Sequence, residues 1–212
     1  MKSIEKLDIK GLNVLIRVDF NVPIKNRRVI DNYRMKESLD TIRYCLNNGA
    51  AVILMSHLGR PSGNMDLKFS LEPVFFELEE MIDNEIFFSD DCISENAINF
   101  SNELMPGEVH LLENLRFHKE EKDNSKEFAK KLSEHADVYI NDAFGVSHRK
   151  HSSNDAILEY FKEEETAYGR LIEKELKYLN KVVKHPVDPF TVIMGGAKID
   201  DKIPMINNIL NK

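Results

Sequence analysis

Short, almost continuously apolar runs separated by stretches of helical periodicity constrain this 212-residue chain more than any other feature. Val14–Val18, Ala50–Met55, Glu85–Phe88, Val109–Leu112, Asp137–Ile140 and Thr191–Met194 each read as a strand. Strands that are apolar along their whole length are covered on both faces. Alternated with helices, they specify a doubly wound, parallel α/β sheet, Rossmann-like in architecture. Met35, Leu39, Ile42 and Leu46 supply the first helix, with Asp31 or Asn32 as its cap and Gly49 as its stop. Ser70 opens a second, carrying Val74, Phe75, Leu78 and Ile82 on one face. Asn124 with Glu127 has the capping-box pattern ahead of Phe128, Ala129 and Leu132. From Thr166 the spacing of Tyr168, Ile172, Leu176, Leu179 and Val183 predicts a longer helix, stopped by Pro186 and Pro189. A strand, a Gly195-Gly196 pair and a helix bearing Ile203, Ile206 and Leu210 follow, the pattern of a second α/β domain beginning.

Composition narrows the class. Twenty-nine basic against 36 acidic side chains leave a formal charge of −7, and the mean hydropathy is −0.39. That balance is globular, and it argues against a general nucleic-acid binder, whose footprint is basic. No run reaches the roughly 18 apolar residues of a membrane helix, and Met1–Lys6 lacks the apolar core of a secretory signal. Cys45 and Cys92 sit far apart in apolar company, as buried reduced thiols of a cytoplasmic protein do.

Ligands of open α/β sheets bind at the carboxyl ends of the strands. Those ends lead here into Asp19-Phe20-Asn21, Ser56-His57-Leu58-Gly59-Arg60-Pro61, Glu113-Asn114-Leu115-Arg116-Phe117 and Asp142–Arg149. With Arg34 at the start of the first helix, four arginines and a histidine gather on one edge of an acidic protein. The planar guanidinium fork suits bidentate contact with phosphate or carboxylate. The cluster therefore predicts a pocket for a small, multiply charged anion, with Asp19 and Asn21 accepting from its hydroxyls. Singly, any loop arginine is more often a solvated ion pair, and Arg17, inside a strand, reads as half of a structural one. His148 and His151 have no third ligand at zinc spacing, so no metal site is expected, and Lys119–Lys122 reads as a solvated face. At Gly195–Lys202, two glycines before a helix would admit a phosphate to backbone N–H groups, with Lys198 and Lys202 on one helical face. A helix cap with two solvated lysines fits that segment equally well.

Taken in order, Arg17–Pro23, Ser56–Pro61, Leu112–Phe117, Asp142–Arg149 and Gly195–Lys202 resemble the motifs of the phosphoglycerate kinase family. The resemblance implies that Asp19, Asn21, Arg34, His57, Arg60, Arg116 and Arg149 bind 3-phosphoglycerate, with Arg34 nearest the transferred phosphoryl group. It implies that Gly195, Gly196, Ala197, Lys198 and Lys202 serve the nucleotide, Lys198 stabilising the phosphoryl in flight, and that Arg34 and Lys198 are the catalytic pair. The implied reaction is reversible transfer between 1,3-bisphosphoglycerate with ADP and 3-phosphoglycerate with ATP, aided by Mg2+, within glycolysis. Residues 1–165 would form the acid-binding domain, 166–186 the interdomain helix and 187–212 the start of the nucleotide domain, with hinge closure between them. Family members are usually monomeric. Asp200 departs from the small residue common there, adding negative charge beside the loop. In the family the second domain runs on past the position of Lys212 and carries the magnesium-holding acid. The 212 residues alone are therefore expected to bind the acid weakly and to transfer phosphate negligibly. An anion-binding regulatory module and a self-associating fragment, pairing through Thr191–Met194, are the other readings.

Overall fold

A computed structural model describes residues 1–61 and 63–184, and beyond them Thr191, Ile193, Ile203 and Asn207 singly. In chain order its elements are β1 (Lys2–Ser3), β2 (Asn13–Arg17), β3 (Ile24–Lys25), β4 (Arg28–Val29), α1 (Tyr33–Asn47), β5 (Ala51–Met55), α2 (Glu72–Glu79) and β6 (Ile86–Ser89). They continue with α3 (Glu95–Asn102), β7 (Val109–Leu112), α4 (Lys126–Ser133), β8 (Val138–Asn141), β9 (Thr166–Tyr168) and α5 (Arg170–Lys184). Seven strands form one parallel sheet in the order β1-β9-β8-β2-β5-β7-β6, while β3 and β4 make a separate antiparallel hairpin. The doubly wound α/β architecture and the first five expected strands are present.

Side-chain alternation divides the core. Val14, Ile16, Val52 and Leu54 point to the face that α1 and α2 cover with Met35, Leu39, Ile42, Val74 and Leu78. Leu15, Ile53 and Met55 point to the opposite face, against Ala97 of α3 and Phe128 and Leu132 of α4. Arg17 shares the parity of Leu15, so its side chain is directed to the α3/α4 side, where it is wholly buried.

Three sequence expectations are corrected and one helix is added. Thr166–Tyr168 pairs with β8 and β1 as β9, so the helix expected from Thr166 begins at Arg170; three residues of strand leave no periodic trace. Asn124 adopts a left-handed φ of 54° and holds Ala156 N and Asp155 with its amide, while Ser125 caps α4 by accepting from Phe128 N. Helix α3, capped by Ser94, was absent from the periodicity because its eight residues hold few large apolar side chains. Finally, Lys119–Lys122 is not uniformly solvated, since Glu121 is fully buried. The expected strand Thr191–Met194, the Gly195–Lys202 loop and the last helix lie outside the described residues. Compactness divides the chain into Met1–Glu173 and Lys174–Lys212. Cys45 and Cys92 are buried free thiols, and no helix of the described residues is long and apolar enough to cross a membrane.

On the α3/α4 face a hydrogen-bonded chain has one consistent set of protons. His135 Nε2 donates to the Cys92 carbonyl at 3.0 Å, so in the neutral ring its Nδ1 accepts from the Ser101 hydroxyl at 2.7 Å. Ser101 Oγ must then accept from His110 Nδ1 at 2.8 Å, leaving His110 Nε2 to accept from Ser89 Oγ at 2.7 Å. Burial lowers the pKa of His110 to about 3 and that of His135 to about 4, both from 6.5. The unfolded chain takes up protons below about pH 6.5 that this fold refuses, so the histidine contribution is whole above that pH and is lost towards pH 4.

Asp142 has the opposite sign over much of the same window. Burial raises its carboxyl to about 7, opposed by a hydrogen bond from Thr41 and by Ile172 N and Leu171 N, whose bonds to Oδ1 cap the start of α5. Its contribution is therefore present at low pH and lost as pH rises through 7. A variant comparison separates the two. The stability difference between wild type and His135→Gln, from urea denaturation, is expected to be largest at pH 7 and to shrink towards pH 4.5. A difference independent of pH would contradict the buried neutral chain.

Candidate functional site

The carboxyl ends of β2, β5 and β8 are level, because Arg17 is in register with Met55 on one side and Asn141 on the other. Backbone bonds from Val18 N to Met55 O and from Asp142 N to Arg17 O continue the ladder by one residue. Beyond it the loops are tied by side chains. Ser56 Oγ accepts from Phe20 N at 2.9 Å, and Asn114 exchanges bonds with both backbone groups of Leu58. Gly59 is the tightest point. Its N–H donates to Asn21 Oδ1 at 2.9 Å and its carbonyl accepts from Arg116 Nη1 at 2.7 Å. Its φ is +62°, and a Cβ there would run into the Phe69 ring.

These ties bring the strand-end residues to one edge. His57 and Arg116 are buried, Asp19 and Asn21 half-buried, and Arg34, Arg60 and Arg149 exposed. Arg34 Nη1 donates to Asp19 Oδ2 at 2.6 Å, a neutral pair on the rim. Asn21 Oδ1 accepts from Gly59 N, and the amide nitrogen beside it offers two N–H donors. Arg116 carries the mark of an incomplete site. Burial first, then the positive charges of Arg149 and Arg17, bring its pKa down to about 10, and its Nε is buried without a partner. Arg60 adds to the same repulsion.

Arg17 lies beneath this edge. The structural ion pair expected of it is not direct, since among the described residues no carboxylate touches the guanidinium. Nε donates to Ser153 Oγ at 2.9 Å, Nη1 to the Val18 carbonyl and Nη2 to His57 Nδ1 at 3.0 Å. Ser153 in turn donates Oγ–H to Glu121 Oε1 at 2.7 Å and N–H to Oε2 at 3.0 Å. Burial lowers the Arg17 pKa, and the Glu121 carboxylate is the strongest influence opposing it. Sequence patterning missed Glu121 because its neighbours in Lys119–Lys122 are charged, and Ser153 because a serine in a loop carries no signal. His57 is pushed far below its usual range by burial, then by Arg17, Arg116, Arg149 and His151, so the ring is neutral. His151 Nδ1 stands 3.6 Å from Glu121 Oε1, and His148 is exposed on the same loop. Among the described residues the grouping with metal-ligand spacing is Asp91, Cys92 and His118, in the segments that follow β6 and β7, and there His118 Nε2 already bonds Asp91 Oδ1 at 2.6 Å.

A parallel α/β sheet covered by helices on both faces, with guanidinium groups gathered at its strand ends, defines a domain of the doubly wound class. The phosphoglycerate kinase family model matches residues 4–212, and the chain belongs to that family. It is 46% identical to phosphoglycerate kinase of Finegoldia magna, over all of this chain and 53% of that protein, and 46% identical to that of Acidobacterium capsulatum, over 99% and 54%. Among solved structures, phosphoglycerate kinase from Pyrococcus horikoshii superposes with a TM-score of 0.86 at 32% identity, covering 100% of this chain and 53% of that one. The structure from Coxiella burnetii gives 0.84 at 31%, with 99% and 52% covered. The chain thus spans about half the length of the curated relatives it matches.

The geometry at Gly59 makes an immediate prediction. Gly59→Ala is expected to lower stability by more than ~1 kcal/mol, since both the left-handed backbone and the Phe69 contact oppose a Cβ. Urea denaturation checks it, and an unchanged midpoint would contradict the packing described.

Proposed function

We propose that the arginine basin binds 3-phosphoglycerate and its acyl phosphate, as this chain's share of the phosphoglycerate kinase reaction. The observation that carries this reading is the charge of the edge. Arg17, Arg60, Arg116 and Arg149 face one another with Glu121 as their buried carboxylate, while Arg34 is matched by Asp19. Three positive charges are left over. A phosphate monoester of about −1.5 to −2 with a carboxylate of −1 meets that excess closely. The donors differ in kind, which suits a substrate with two different anionic ends. His57 offers one N–H and the Asn21 amide two, and Arg116 offers an unsatisfied Nε in a buried position where a charge-assisted bond is strongest.

In this reading the phosphoryl group leaves the acyl oxygen of 1,3-bisphosphoglycerate, releasing the carboxylate of 3-phosphoglycerate, and bonds to the terminal oxygen of ADP. Such a transfer asks the protein chiefly for alignment and charge stabilisation. Arg34, on the rim and able to exchange Asp19 for a phosphoryl oxygen, takes the role nearest the moving group, and Lys198, outside the described residues, takes the family's role of stabilising the phosphoryl in flight. Residues 1–165 hold the acid, 166–186 connect, and 187–212 begin the nucleotide side through Gly195, Gly196, Ala197, Lys198 and Lys202. Hinge closure then excludes water between the two substrates. Nucleotide and Mg2+ belong to this reading through the family, and no residue described here is assigned to the ion. Action within glycolysis in the cytoplasm follows from the same reading.

Calorimetric titration of the chain with 3-phosphoglycerate tests it. Wild type is expected to bind with one site. Arg116→Ala and Arg149→Ala are each expected to weaken binding by about tenfold or more, the scale of one lost charge-assisted contact. Glycerate, lacking the phosphate, is expected to bind much more weakly. Equal affinities for the two acids, or variants that bind like wild type, would overturn the assignment.

A further inference from the structure

Glu121 and Ser153 touch no part of the basin's open surface, yet they are joined to it by an unbroken series of hydrogen bonds. We propose that Glu121 and Ser153 are positioning residues that, through Arg17, hold His57 with its proton on Nε2, so that the ring presents a donor and never an acceptor to the bound acid. This rests on the reading of the basin as a phosphoglycerate site.

The direction of every bond in the series is determined. A guanidinium has only donors, so the contact of Arg17 Nη2 with His57 Nδ1 at 3.0 Å requires a lone pair on that nitrogen. The neutral ring must then carry its proton on Nε2. A water could not impose this as firmly, because it can donate or accept. The arginine is itself held at all three nitrogens, by Ser153 Oγ, the Val18 carbonyl and His57. Ser153 Oγ accepts from Arg17 Nε, so its one proton goes to Glu121 Oε1, 2.7 Å away. Glu121 Oε2 is fixed by Ser153 N at 3.0 Å. The Tyr139 hydroxyl, donating to the Ser153 carbonyl at 2.8 Å, steadies the same residue from β8.

Glu121 and Ser153 are both fully buried, so water does not compete for these bonds. The carboxylate has a second effect: it is the counter-charge that allows a full positive charge to stay at the end of β2. Around His57 the charged and titratable groups are Arg17, Arg116, Arg149 and His151, and all of them oppose a second proton on the ring. Glu121 and Ser153 thus determine what the imidazole offers without meeting substrate themselves.

The test is nitrogen-15 NMR of His57 in the 212-residue protein, with 3-phosphoglycerate affinity measured alongside. In wild type, the His57 signals are expected to be those of an Nε2–H ring and to stay constant from about pH 8 to about pH 5. Ser153→Ala frees Arg17 Nε. His57 is then expected to show a mixture of Nε2–H and Nδ1–H rings, still neutral across that interval, with affinity falling about tenfold. Ser153→Thr, which restores a hydroxyl, is expected to recover both readouts, and Glu121→Gln to act like Ser153→Ala. A wild-type ring protonated on Nδ1 would overturn the proposal, as would a folded Ser153→Ala protein with His57 and affinity unchanged. A loss of thermal stability alone, with both readouts intact, would assign the pair a purely structural part and count against it. The ligand-free spectra judge the proton arrangement even if wild type fails to bind 3-phosphoglycerate, so that failure would fall on the basin reading instead.

Discussion

A full positive charge buried at the end of the central strand is the constraint on which the rest of this structure depends. Arg17 has no solvent exposure, and strand alternation leaves its side chain no other direction than the α3/α4 face. Desolvating a guanidinium costs several kcal/mol unless its hydrogen bonds are filled and a counter-charge is near. The fold meets both demands with Ser153, 136 positions away in sequence, for the bond, and Glu121, from a separate loop, for the charge. Two loops that follow β7 and β8 are thereby anchored to β2, and the edge on which they stand acquires a defined shape.

That edge is built before any ligand arrives. Donors at His57, Asn21 and Arg116 are oriented by bonds on their far sides: Arg17 behind His57, Gly59 N on the oxygen of Asn21, the Gly59 carbonyl on one nitrogen of Arg116. Such preorganisation matters for a highly charged substrate, because donors that need not turn from water to meet it lose little on binding. The mutual repulsion of Arg17, Arg116 and Arg149 is offset in the folded chain by the buried Glu121 carboxylate.

Much of this was legible in the residues. The apolar runs marked five of the seven strands, and their carboxyl ends named the residues that converge on one edge. The sequence could not show β1 and β9, two and three residues long, whose pairing is decided by the sheet and not by local pattern. Helix α3 escaped for a related reason, its hold coming from a Ser94 cap, one small buried alanine and the buried Ser101 hydroxyl. Glu121 illustrates the deeper limit. Local charge made it look solvated, and only the long-range meeting with Ser153 and Arg17 gives a carboxylate reason to be buried. Asn21 is similar, since which of its two amide atoms faces outward depends on the distant N–H of Gly59.

The central claim is that the strand-end edge is a single, preformed site for 3-phosphoglycerate. Two-dimensional NMR of the chain titrated with that acid addresses it most directly. The account predicts saturable shifts at the side-chain and backbone N–H groups of Asn21, His57, Arg60, Arg116 and Arg149, with the β3–β4 hairpin and the His110–Ser101–His135 chain unmoved. Shifts centred away from those strand ends, or none at millimolar acid, would contradict it.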